Sequence, residues 1–207
     1  MPDFNPFDPN DYSARRLNSA RDALVLGLDT ALLRMQETFA DITEEEYYWH
    51  PFSEAERLAD DTLPEDEKRL WTVRPRNSDF TYDYADTTLD PPPFTTISWI
   101  MTHIAHTSAM YFYCVKSGKG VDETFSWGSL TTYGTLAETR DYTYSVTHEV
   151  REYLLGLESD ETLNKMTPKP SWEMRPTYLN IWGGCIEHAI QHAMQIAVRK
   201  ERIRTSY

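Results

Sequence analysis

The chain has 207 residues, a formal charge of -13 and an isoelectric point near 4.8, a balance that opposes the electrostatic attraction behind most non-specific nucleic-acid binding. Its most apolar windows are broken by His103 and His106 or by Glu187, His188, Gln191 and His192, and no run approaches the ~20 apolar residues needed to span a bilayer, so no membrane segment is expected. Two cysteines, Cys114 and Cys185, are too few for a disulfide framework, and Met1-Pro2-Asp3-Phe4 does not begin a secretory leader, so a cytoplasmic protein with reduced thiols is expected.

The length fits one domain, residues 1–207, whose core suffices for folding without a structural metal. Across residues 11–40, Leu24, Leu28, Ala31, Leu32, Met35 and Phe39 recur at spacings of three and four and predict the buried face of a first long helix. Thr43 and Glu46 then form a capping box opening a short turn with Tyr47, Tyr48 and Trp49, and Pro51 holds His50 out of the helical region. Residues 52–94 mix charged, aromatic and proline residues, among them Trp71, Pro75, Phe80, Tyr82, Tyr84 and Pro91-Pro92-Pro93, without helical or strand periodicity. They read as a long structured insertion between the first two helices, with one short helix near Pro64 to Trp71, packed over the remainder and able to act as a lid.

Thr95 or Thr96 caps a second helix, residues 95–116, which runs through Ile97, Ile100, Ile104 and Tyr111 and stops at Ser117-Gly118-Lys119-Gly120. A second capping box, Thr135 with Glu138, opens a third helix, residues 135–157, marked by Val146, Val150, Tyr153, Leu154 and Leu157. Pro168, Pro170 and Pro176 interrupt the next connection. Thr177 caps the last helix, residues 177–203, with Leu179, Trp182, Ile186, Ala189, Ile190, Ala193, Ile196 and Ala197 expected to face inward and Arg199, Lys200, Arg202 and Arg204 at the negative pole of its dipole. Four long helices and no strand predict an all-α, four-helix bundle.

His188 and His192 stand four apart on the last helix and project from one face a turn apart, a spacing at which two imidazoles can share a divalent metal ion. In a bundle, an inward residue of another helix meets such a pair, and His103 is the expected third ligand. Three neutral imidazoles with an open fourth position make a catalytic type of site, because structural zinc is usually fully ligated by protein. His106 shares much of the His103 face and competes as a ligand or supports one from behind. His50 and His148 have weaker claims. Cys185, a turn before His188, and Cys114 are further candidates at the edge of the site, although small buried thiols in helices more often serve packing. The bland alternative is that these histidines simply bond to backbone, tyrosines or carboxylates. No HExxH motif is present, which excludes a zincin, and no Glu-x-x-His pair occurs, which argues against a ferritin-like di-iron bundle.

Three segments in order resemble the DinB superfamily. Ile42-Thr43-Glu44-Glu45-Glu46-Tyr47-Tyr48-Trp49-His50-Pro51 looks like its acidic turn ending in Trp-x-Pro, Thr96 to Ala105 resembles the helix with its first histidine ligand, and His188-Ala189-Ile190-Gln191-His192-Ala193-Met194-Gln195-Ile196 resembles its HxxxH helix. The resemblance implies an up-down-down-up bundle, a homodimer, and metal ligation by His103, His188 and His192, with zinc or nickel most common and iron or manganese also used. Met194 stands where many relatives have glycine, and the segment between Pro51 and Ile97 is longer than usual.

Some relatives use the metal to activate a low-molecular-weight thiol such as bacillithiol or mycothiol, and others are described as hydrolases. The resemblance therefore implies a metal-dependent enzyme acting on a small-molecule substrate, with thiol S-transfer preferred over hydrolysis. Glu187, Glu45 and Tyr111 are the candidates for a general base. The competing readings are a non-catalytic bundle that binds metal or a small ligand in a stress response, and a structural dimer.

Overall fold

The computed structural model describes residues 19–64, 67–76, 79–83, 91–121, 125, 127–171 and 173–205. The first eight residues of the expected first helix, 11–18, lie outside them. Helix α1 spans Ala20–Phe39, where the hydroxyl of Ser19 accepts from the Asp22 amide at 3.1 Å and Leu24, Leu28, Ala31, Leu32, Met35 and Phe39 are buried as the periodicity predicts. Helix α2, Glu44–Tyr48, opens with the expected reciprocal box between Thr43 and Glu46. A second such box, Ser53 with Glu56, opens α3, Glu54–Asp60. The short helix of the insertion therefore lies here and not near Pro64 to Trp71; Ser-x-x-Glu was its legible signal.

The remainder of the insertion corrects the strand-free expectation. Strand β1, Leu70–Trp71, pairs in parallel with β4, Phe94–Thr95, and β2, Val73–Arg76, pairs antiparallel with β3, Asp79–Tyr82. A further hairpin, β5 at Met166–Pro168 and β6 at Met174–Pro176, precedes the last helix. All are too short to show alternation, and Pro75, Pro168 and Pro176 lie within them, which hides strands from a pattern reading.

Helix α4, Ile97–Ser117, is capped by Thr96 and closed by Gly118 in the left-handed region at φ 68°. Helix α5, Leu136–Leu155, begins where the Thr135 hydroxyl accepts from the Glu138 amide at 3.2 Å and donates to the Glu138 carboxylate at 2.7 Å. After the short α6, Glu161–Asn164, the last helix is built in three parts: α7, Thr177–Ile181; wide π-helical turns over Trp182–Glu187; and α8, His188–Thr205. Each π turn takes an extra residue, which shifts the phase between α7 and α8. A single 3.6-residue face consequently mispredicts this helix: Leu179 is 40% and Trp182 47% exposed, and Ala197 is exposed as well.

The chain is mostly helical. Its four long helices contact one another in a ring: α1 packs against α5 and α8, and α4 packs against the same two. Arg151 on α5 donates to the buried Asp29 carboxylate of α1 at 2.7 Å. The apolar core falls into two clusters. One contains Phe39, Ile97, Ile100, Ile104, Ala189 and Ala193, and the other contains Leu24, Phe112, Val150, Ile181, Cys185 and Ile186. Along α4 and the last helix, His103, Thr107 and His188 lie where one cluster gives way to the other.

The C-terminal end of α8 is clasped to the α1–α2 junction. Lys200 donates to the Thr38 carbonyl at 2.7 Å and reaches Asp41, while Arg204 donates to Asp41 at 2.8 Å and to Glu46 at 2.6 Å. Hydrogen bonds from Lys200 and then Arg204 lower the Asp41 carboxyl from 3.8 to about 2. A carboxylate with a depressed folded pKa stabilises the fold above its unfolded value and loses that contribution as pH falls through the folded one. Amides in the last turns of α8 should thus gain hydrogen-exchange rate as pH falls from 3.8 toward about 2, after correction for intrinsic exchange; Asp41→Asn should remove that step.

The insertion is anchored by buried charge. Asp83 accepts from Lys68 at 2.8 Å, from Arg74 at 2.8 Å and from the Thr72 amide at 2.9 Å, and Arg74 also reaches Asp60 and Asp61. The Asp83 carbonyl accepts the indole N–H of Trp99 on α4, whose ring lies 5.3 Å from Trp71 and 6.2 Å from Tyr82. These contacts fasten the segment to the start of α4, as expected of something packed over the helices.

Candidate metal centre

His103 lies in the second turn of α4, His188 opens α8 directly after the π turns, and His192 follows one turn later. Their ring centroids are 4.9 Å apart for His103–His188, 5.0 Å for His103–His192 and 4.4 Å for His188–His192. One nitrogen from each lies within 4.8 Å of the other two, and the Nε2 atoms of His103 and His188 are 3.2 Å apart. Two nitrogens each ~2.1 Å from a tetrahedral ion stand about 3.4 Å apart, so the spacing fits a shared cation. Unprotonated nitrogens this close point lone pairs at each other unless a cation or a proton stands between them.

Their surroundings favour the neutral, metal-binding form. Burial, then the neighbouring His188, His192 and His106, drives His103 well below the ordinary histidine range. Burial followed by His192 takes His188 to about 3. His192 is also lowered by burial, against the opposing effect of its hydrogen bond to Gln195. Because the Gln195 amide oxygen lies 2.8 Å from His192 Nδ1, that nitrogen carries the proton and Nε2 keeps its lone pair. Removing this support in Gln195→Leu should weaken metal binding about 10- to 100-fold with little change in apo stability, as read by competition with a chromogenic chelator.

Trp99 stacks on His103 at 4.6 Å and 15°, and its indole is itself held by the Asp83 carbonyl. The plane of this imidazole is thus set partly from within the insertion. Behind the other pair, the ring of Tyr111 occupies the space a side chain on Gly184 would fill; an added Cβ would sit 2.1 Å from its Cγ. Gly184→Ala must displace either that ring or the π turns ahead of His188. The expected cost is about 1–3 kcal/mol by thermal unfolding, accompanied by weaker metal binding.

A cavity of about 280 Å³ adjoins His103 and His188, lined also by Thr107 and Tyr111 of α4, Gly183 of the π turns, and Lys169, Pro170 and Ser171 beyond β5. No described residue of 52–94 lines it, whereas Lys169, Pro170 and Ser171, between β5 and β6, do. A larger cavity, about 660 Å³, lies away from the three histidines among His50, Arg57, Asp61, Arg74 and Thr81.

The other candidates fall outside the cluster. His106 is fully buried, with Nε2 3.0 Å from the Thr131 carbonyl and its ring edge-on to Tyr82 at 4.8 Å; burial takes it to about 4. His50 lines the larger cavity near Phe52, and His148 is exposed on α5. The Cys185 thiol lies 3.7 Å from the Ser108 carbonyl, and burial raises it to about 12 and Cys114 to about 11. Both thiols are free and act as core side chains. Glu187 is exposed and accepts from Gln191, Glu45 lies by Trp49 and Arg204, and Tyr111 alone of the three base candidates lines the cavity. Sequence reading missed Thr107 and Lys169 as cavity residues. Thr107 is four after His103, a signal of a shared helix face, whereas Lys169 carried none.

The family model described as the DinB superfamily matches residues 28–196, a span that contains all three histidines. No curated protein and no solved structure gives a significant match to the chain.

Proposed function

The chain belongs to the DinB superfamily, and from that premise we propose that it is a metal-dependent enzyme in which His103, His188 and His192 hold one divalent ion beside a pocket for a small molecule. The observation that carries this reading is the convergence of three imidazole nitrogens, all within 4.8 Å, at an open cavity. A bound ion, zinc or nickel ahead of iron or manganese, lowers the pKa of a coordinated thiol or water, so the reaction class is thiol S-transfer or hydrolysis. Gln195 keeps the donor tautomer of His192, Trp99 holds the plane of His103, and Tyr111 with Thr107 offers hydroxyls to the substrate.

The ring of helix contacts supports an up-down-down-up bundle with the insertion between its first two helices. Met194 and Val198, 63% and 72% exposed and one turn apart on α8, favour a homodimer through that face. A cytoplasmic location belongs to the same reading. No described helix is long and apolar enough to cross a membrane. The runner-up, a non-catalytic metal- or ligand-binding bundle, is favoured by the absence of a carboxylate among the described residues lining the cavity.

Zinc- or nickel-loaded protein offered a panel of thiols and electrophiles should form conjugates at a rate lost in His188→Ala. Saturable binding of a panel member with a raised melting temperature and no turnover would instead establish the non-catalytic reading.

A further inference from the structure

We propose that the cavity beside the three histidines is a subsite for the carboxylate of an acidic small molecule, held by Lys169 and by the hydroxyl of Thr107. This rests on the metal-site reading for the identity of the neighbouring centre, but its chemistry comes from different residues. Thr107 follows His103 by one helical turn and so faces the same side of α4. Its residue is 6% exposed, and its Oγ1 is buried without a hydrogen-bond partner among the described residues. A buried hydroxyl left unpaired is costly, and a group that enters the cavity and accepts from it recovers that interaction.

Lys169 is the one charged side chain among the described residues lining the cavity. Its backbone N–H donates to the Glu173 carbonyl at 2.8 Å, and Pro168 and Pro170 restrict the chain on either side. The hairpin is in turn tied to the last helix, because Asn180 Nδ2 donates to the Thr167 carbonyl at 3.1 Å and to Thr167 Oγ1 at 3.0 Å. The ammonium group is therefore carried on a braced element. Lys169 and Arg175 share the single carboxylate of Glu173, whose side chain is 55% exposed. Such a solvent-screened pair exchanges readily, and the local balance of two cations to one anion is positive in a chain whose net charge is -13. One ammonium and one hydroxyl match the charge and the two acceptor oxygens of a carboxylate; a phosphate dianion would find only half its charge met.

Calorimetric titration with succinate, on metal-free and zinc-loaded wild-type protein, tests the subsite apart from the metal. Succinate should bind wild type, and Lys169→Gln should weaken it about tenfold, the scale of one charge-assisted hydrogen bond. Thr107→Val should weaken it less, with both variants unchanged in thermal unfolding and in zinc uptake. Absence of succinate binding to both forms, equal binding by Lys169→Gln, or tighter binding of inorganic phosphate would overturn the carboxylate assignment. Failure of zinc to bind, with succinate binding intact and Lys169-dependent, would strike the metal reading and leave the subsite standing.

Discussion

His188→Ala is expected to abolish stoichiometric metal binding, lowering affinity by more than the ~100-fold that loss of a supporting residue alone can cause. The variant removes one of three donors and leaves His103 and His192, 5.0 Å apart between ring centroids, without their shared neighbour. It should nevertheless fold. His188 is neutral in its surroundings, with its pKa pushed down to about 3 chiefly by burial, and its buried Nδ1 has no partner among the described residues. Truncation therefore breaks no buried ion pair. The decisive comparison is thermal unfolding with and without zinc. Wild type should gain about 2.7 kcal/mol at a metal concentration 100 times its dissociation constant, and the variant almost nothing. An equal gain in both proteins would move the metal to another site.

The second large effect is expected at Asp83, which is not one of the three candidate ligands. Asp83→Ala should destabilise the protein by about 3–5 kcal/mol in urea unfolding, the scale of breaking a buried ion pair by removing one partner. Lys68 and Arg74 have side chains only 7% and 12% exposed, and both bond to this carboxylate, as does the Thr72 amide. Asp83→Asn should cost less, since the amide oxygen still accepts one of these bonds. Metal affinity should fall with stability, because the Asp83 backbone positions Trp99 and Trp99 stacks on His103. Loss of stability with full retention of metal affinity would mean that the insertion does not hold the imidazole in place.

What could be read in the sequence depended on how local the cause was. The faces of α1, α4 and α5 follow from apolar residues three and four apart, and Thr43, Thr96 and Thr135 cap helices by bonds three residues long. His188 and His192 belong to the same class, one helical turn apart. The pairing of Leu70 with Phe94 is different in kind, because two residues of strand have no pattern until a partner 24 positions away lies beside them. The importance of Asp83 is equally invisible, since an aspartate followed by tyrosine reads as solvated until Lys68 and Arg74 are brought onto it. Lys169 acquires meaning only from the shape of a cavity to which α4, the hairpin and the π turns all contribute.

Those π turns decide where the last helix can lose a residue. A regular helix turns when a residue is added or lost, but the wide turns of Trp182–Glu187 hold an extra residue within nearly the same rotation. Deleting one residue there would restore regular α-helix with little net rotation, because the π turns carry the surplus residue, whereas deleting one between His188 and His192 would turn one imidazole from the other by about 100°. Asn180, and through it the hairpin bearing Lys169, would keep its bearing on His188 in the first case. The angular setting between pocket wall and imidazole pair thus tolerates the loss of one residue in the π turns but not in the regular helix that follows.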